Sequence, residues 1–132
     1  MRTMTSLFGY LSYRDAQAAI AWLEAIGFEI TARQASDDGT VQHAELRLND
    51  AVVMLATADA DYPVPPLVGR STGNGLYLRV EDVGAIYDAA INAGAASVFE
   101  PEATEWGSER ARVLDPEGHE WSFGSYEPGR SW

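Results

Sequence analysis

Two pairs of residues in this chain have the types and spacing for proton chemistry. His43 and Glu45 stand two apart in an alternating run, so both side chains leave one face of a strand. That is how a general base is placed beside the carboxylate that orients it. Glu120 and Ser122 share a face in the same way. Arg47, Arg110 and Arg112 alternate with apolar residues and bring guanidinium donors, while Phe8, Tyr10, Tyr77 and Trp106 offer ring faces for stacking. There is no Gly-rich phosphate loop, Ser nucleophile elbow or HExxH. With no cysteine, thiolate metal sites and disulfides are excluded. His43 and Glu45 make two ligands where a catalytic metal usually takes three, and His119 lies at a turn beside Gly118. Both histidines therefore read as polar lining or surface groups.

Charge narrows the partners. The net charge of −11 repels nucleic acid, and no Lys/Arg cluster provides a local exception. It attracts a cationic small molecule and keeps the protein in solution. No apolar run approaches the length of a membrane span and no signal peptide opens the chain, so the expectation is a cytoplasmic protein without membrane contact.

The chain spells the frame for these residues twice. Asp15 opens an apolar-periodic run that stops at Gly27, and Asp82 opens another of the same length that stops at Gly94. Ala19, Ile20, Leu23 and Ile26 form the helical stripe of the first, and Val83, Ile86, Tyr87, Ala90 and Ile91 that of the second. Ser6–Tyr13 reads as a strand before the first helix. Phe28–Gln34, Val41–Leu48 and Ala51–Ala56 follow it, with turns at Asp37-Asp38-Gly39 and Asn49-Asp50. The second half repeats the order with Leu76–Val80, the helix, Ala96–Glu100, a loop to Ser108, Arg110–Leu114 and His119–Ser125. Residues 58–73 carry three prolines and no period, and read as a linker. The fold class is α+β. Paired βαβββ repeats (about 6–57 and 74–126) form a single domain over 1–132, a curved mixed sheet with helices on one face and a concave cavity on the other. Each repeat alone would be marginal in size, so the two must share a sheet or exchange partners.

Tyr13-Arg14-Asp15 leading into a helix that ends in Gly27-Phe28, the pair Trp106-Gly107, and the run Asp115-Pro116-Glu117-Gly118-His119-Glu120-Trp121 together resemble the vicinal-oxygen-chelate superfamily. Glyoxalase I, extradiol dioxygenases, fosfomycin-resistance transferases and bleomycin-resistance proteins belong to it. In its metal enzymes, the first and last strands of each half supply the ligands. The resemblance carries those positions onto Phe8, Met54, Gly75 and Ser122. Phe8 and Gly75 lie equally far before Asp15 and Asp82, as a duplicated pair should. Phenyl and glycyl positions have no donor, a thioether suits a hard divalent ion poorly, and a lone hydroxyl binds weakly. The expectation is a protein with no metal and no cofactor.

If those positions face the cavity, period-two geometry adds Tyr10, Val52, Tyr77 and Glu120 to its wall. It turns Leu7, Leu11, Leu55, Leu76, Leu78, Trp121 and Phe123 to the helices. His43, Glu45 and Arg47 line it from one third strand, with Arg110 and Arg112 from the other. Trp106 stands where bleomycin-type binders place an aromatic against their ligand. The candidate ligand-binding set is Phe8, Tyr10, His43, Glu45, Arg47, Met54, Tyr77, Trp106, Arg112 and Ser122. Trp22, off the main stripe of its helix, reads as a packing or dimer contact.

Three functions follow from this wall. The first is a metal-independent binder that sequesters an aromatic, cationic antibiotic or peptide natural product. By resemblance to bleomycin-resistance proteins it would be a homodimer, with domain swapping left open. The second is a metal-free isomerase, lyase or transferase working through His43 and Glu45, or through Glu120. The third is a metalloenzyme built from His43, Glu45, Asp115 and Glu120, which do not fall on matching strands of the two halves. Loss of all four ligand positions favours the binder.

Overall fold

The computed structural model describes residues 6–58 and 74–129. Apart from Ala58, the Pro-rich linker lies outside the described residues, as does Trp132. The chain divides into two compact units, 1–60 and 61–132, and each repeats the same order of elements.

The first unit runs β1 (Gly9–Tyr13), α1 (Ala16–Ala25), β2 (Glu29–Ala35), β3 (Val41–Leu48) and β4 (Ala51–Thr57). The second runs β5 (Leu76–Arg79), α2 (Val83–Asn92), β6 (Ala96–Ala103), β7 (Glu109–Leu114) and β8 (Glu120–Gly124). Each builds its own four-stranded mixed sheet, ordered β1-β4-β3-β2 and β5-β8-β7-β6. In both, the first strand pairs parallel with the last, and the other neighbours are antiparallel.

The two helices start and stop by the same chemistry. Asp15 Oδ1 accepts from Ala18 N at 3.0 Å, and Asp82 Oδ1 accepts from Ala85 N at 3.0 Å. Each carboxylate satisfies an amide that has no partner inside its helix. Gly27 and Gly94 then adopt φ of 115° and 111°, a region that side chains avoid, and the chain turns into the next strand. α1 buries Ala16, Ala19, Ile20, Trp22 and Leu23. Trp22 is thus a packing residue.

One face of each sheet makes the core. Ala44, Leu46, Val53 and Leu55 are buried in the first unit, and Leu78, Ala111, Val113, Trp121 and Phe123 in the second. Fully burying a side chain the size of leucine or phenylalanine stabilises by about 1.5–3 kcal/mol, so these rows fix which face of each sheet turns inward. Three sequence expectations need correction. Leu7 is 97% exposed and does not pack on a helix, because β1 begins only at Gly9. β6 runs on to Ala103 where a loop after Glu100 was expected, and β5 ends at Arg79.

The turn between β7 and β8 is organised by Asp115, which is buried. Its Oδ1 accepts from Glu117 N and His119 N, both at 3.0 Å, and its Oδ2 accepts from the Trp121 indole at 3.1 Å. Those bonds explain the Asp-Pro-Glu-Gly run locally. They fold the hairpin and satisfy the one polar atom of a core tryptophan.

Candidate functional site

In the first unit, register places Tyr10 beside Met54 and Met54 beside Glu45 on one row. Phe8 and Tyr10 are half-exposed. His43 Nε2 lies 2.8 Å from Glu45 Oε2, so the pair expected from its spacing is formed. Arg47 Nη1 donates to the carbonyl of Asn49 at 3.3 Å. Tyr10, His43, Glu45, Arg47 and Met54 share one sheet face, Phe8 precedes β1, and none of these six sequence-derived candidates lines the large cavity of the second unit.

That cavity occupies about 820 Å³. Tyr77, Ser122, Arg112 and Phe99 cross its floor as one register row, each on a different strand. Of the candidates, Tyr77, Trp106, Arg112 and Ser122 line it, together with Glu120, Phe99, Arg110 and Tyr126. Arg112 Nε donates to Ser122 Oγ at 2.7 Å. The Tyr77 hydroxyl donates to the carbonyl of Tyr126 at 2.6 Å, and burial pushes that phenol above its ordinary pKa while Arg79 opposes the shift.

Arginines and aromatic rings stack alternately at one end of the cavity. The Arg112 guanidinium carbon lies 5.2 Å from the centre of the Phe99 ring, and that of Arg110 lies 5.5 Å from Phe99 and 5.9 Å from Trp106. These distances are within cation–π range. Arg110 Nε also donates to Glu102 Oε1 at 2.9 Å. Trp106 is 63% exposed yet held firmly at its base. Ser108 N donates to Thr104 Oγ1 at 3.0 Å and Thr104 N to the Ser108 carbonyl at 2.9 Å, closing the loop beneath it.

Phe99 is the residue that sequence reading missed, and strand irregularity is the reason. Ser97 pairs with Val113 on the helix side of the sheet, where its hydroxyl accepts from the Tyr87 phenol at 2.8 Å. Strict alternation would put Phe99 on that side too. A register shift between Ser97 and Phe99 instead sets Phe99 opposite Arg112, and a second shift sets Glu102 opposite Arg110.

At the other end, Glu120 is only 5% exposed and its carboxylate lies against Gly75. A Cβ at position 75 would collide with that carboxylate. Gly124 is under the same constraint, since a Cβ there would strike the Tyr77 phenol. The two glycines let the side chains of the floor lie flat.

The donor chemistry does not suit a metal of the glyoxalase kind. Neither Phe8 nor Met54 brings a hard donor, Gly75 lies beneath Glu120, and the Ser122 hydroxyl is engaged by Arg112. Among the described residues no three His, Asp or Glu side chains converge. Asp115 is committed to its turn. Among the described residues no helix is long and apolar enough to cross a membrane.

Known proteins share this fold. The profile of the Glyoxalase/Bleomycin resistance protein/Dioxygenase superfamily matches residues 6–123. An uncharacterized protein of Mycobacterium bovis is 35% identical over 127 residues, spanning 90% of this chain and 82% of the relative. TioX from Micromonospora sp. ML1 superposes with a TM-score of 0.73 at 29% identity, covering 96% of this chain and 100% of that one. A bleomycin-binding protein complexed with bleomycin superposes with a TM-score of 0.63 at 22% identity, covering 94% and 100%. The repeated βαβββ order, the Asp115 turn and the profile match agree: the chain belongs to the Glyoxalase/Bleomycin resistance protein/Dioxygenase superfamily.

Proposed function

We propose that this protein binds and sequesters an aromatic small molecule or aromatic peptide natural product, without a metal and without chemistry, as a homodimer. The observation that carries this reading is the stack of Trp106, Arg110, Phe99 and Arg112 along a cavity of about 820 Å³. A binder needs preformed stacking surface and a few directional donors, and it needs no activated group. Likeness in fold to a bleomycin-binding protein supports the same reading. The net charge of −11 favours encounter with a molecule that is cationic as a whole.

The test is a titration of tryptophan fluorescence with heteroaromatic and cationic antibiotics, with and without zinc. Saturable quenching indifferent to zinc is expected. Trp106→Ala should weaken binding by roughly 1–3 kcal/mol while changing stability by less than about 0.5 kcal/mol, since the ring is mostly exposed. An unchanged dissociation constant would remove Trp106 from the site, and quenching only with zinc would overturn metal independence.

One observation favours a second reading. His43 and Glu45 are in hydrogen-bond contact on an open sheet face, the arrangement of a general base and its orienting carboxylate. A metal-free isomerase, lyase or transferase would use them. Turnover with a bell-shaped pH–rate profile that disappears in His43→Ala would establish it.

A further inference from the structure

We propose that the aromatic ring docked on the Arg110–Phe99–Arg112 stack carries a carboxylate, so that the group recognised here is an aromatic acid and not an aryl amine. The proposal rests on the reading of this cavity as a binding site. The Phe99 ring, whose negative face would attract a ligand cation, already has both guanidiniums over it at 5.2 and 5.5 Å. An aryl ammonium entering there would meet two positive groups and a ring whose attraction is already in use.

An aromatic acid meets the opposite situation. A guanidinium has five N–H donors, and the pair at its tip matches the two oxygens of a carboxylate. Glu102 engages Arg110 through Nε, and Ser122 engages Arg112 through Nε. That leaves Arg110, which is half-exposed, to turn its fork toward a ligand. A ring stacked on the mostly exposed indole of Trp106 lies beside that fork.

The carboxylates nearby set the ligand's direction. Glu102 offsets one arginine. Glu109, exposed at the start of β7, also lines the cavity and adds a second carboxylate near Arg110. Glu120 is on the cavity side but at the Gly75 end, two cross-strand pairs beyond Arg112 and Ser122. An acid is therefore repelled by Glu120 at the Gly75 end, and at the Arg110 end it is held by the guanidinium fork against the opposing charge of Glu109.

Three probes with one ring system separate the alternatives: naphthoate, naphthamide and naphthylmethylammonium, titrated calorimetrically into the full chain at low ionic strength. The acid should bind roughly ten-fold tighter than the ammonium, with the neutral amide between them. Arg110→Gln should bring the acid down to the level of the amide, weakening the acid several-fold more than it weakens the amide. Arg110→Lys, which keeps the charge and loses the fork, should fall between. In the unaltered protein, added salt should weaken the acid and spare the amide. If the ammonium binds as tightly as the acid or tighter, the acid assignment is wrong and the binder reading stands. The acid assignment also fails if Arg110→Gln weakens acid and amide alike, since Arg110 then only packs. If none of the three binds, both readings fall.

Discussion

Asp115 illustrates how a residue's chemistry is settled by what it touches. In the sequence it is one of few carboxylates available to a metal, yet in the fold it closes the β7–β8 turn and receives the Trp121 indole. Removing it as Asp115→Ala leaves a buried indole N–H and two turn amides without an acceptor. A loss of about 3 kcal/mol in urea unfolding is expected, with an unchanged slope. Gly124 gives a second case. A methyl group there meets the Tyr77 phenol, so Gly124→Ala should cost about 1–3 kcal/mol, and Tyr77→Ala should relieve most of that cost in the double variant. Additive losses would mean that the two sites do not press on each other. The His43–Glu45 contact and the alternation of Arg110 with Arg112 were legible in the residues because period two is local geometry.

At the scale of elements, the duplication shows in how each repeat is punctuated. Asp15 and Asp82 cap their helices at the same bond length, so Asp15→Ala and Asp82→Ala should each cost about 1 kcal/mol by thermal or urea unfolding. The β2–β3 turn carries its own pH signature. Ser36 Oγ donates to Asp38 Oδ1 at 2.6 Å and Thr40 N donates to the same oxygen at 3.0 Å. The Ser36 hydrogen bond is the largest cause that lowers the Asp38 pKa from 3.8 to about 2. Because the folded value is depressed, the turn's contribution is complete above pH 3.8 and is lost as pH falls through about 2. Carboxyl NMR titration should find Asp38 among the most acidic carboxylates, and Ser36→Ala should raise it. An Asp38 that titrates near 3.8 would refute this account of the turn.

For the whole molecule, net charge and the arginine stack act on different steps of binding. A charge of −11 speeds the arrival of a cation and slows that of an anion, while the stack governs how long each stays. Stopped-flow quenching should therefore give opposite orders for the naphthalene probes. The ammonium should associate faster and dissociate faster, and the acid should arrive slowly and leave slowly. Raising the ionic strength should bring the two association rates together. Equal association rates at low salt would show that the acidic surface exerts no field at the cavity mouth. The sequence by itself determined the βαβββ repeats, the caps and stops of both helices, and the face that most strand residues present. These depend on 3.6- and 2-residue periods and on side chains bonding amides within a few positions. Only the tertiary structure decided that the last strand of each half lies between the first and third, that Glu120 settles over Gly75, and that the large described cavity belongs to the second unit. It also decided the arginine stack itself. Two register shifts in β6 bring Phe99 and Glu102 to the arginine side, and such shifts arise from pairing with β7, which no local period encodes.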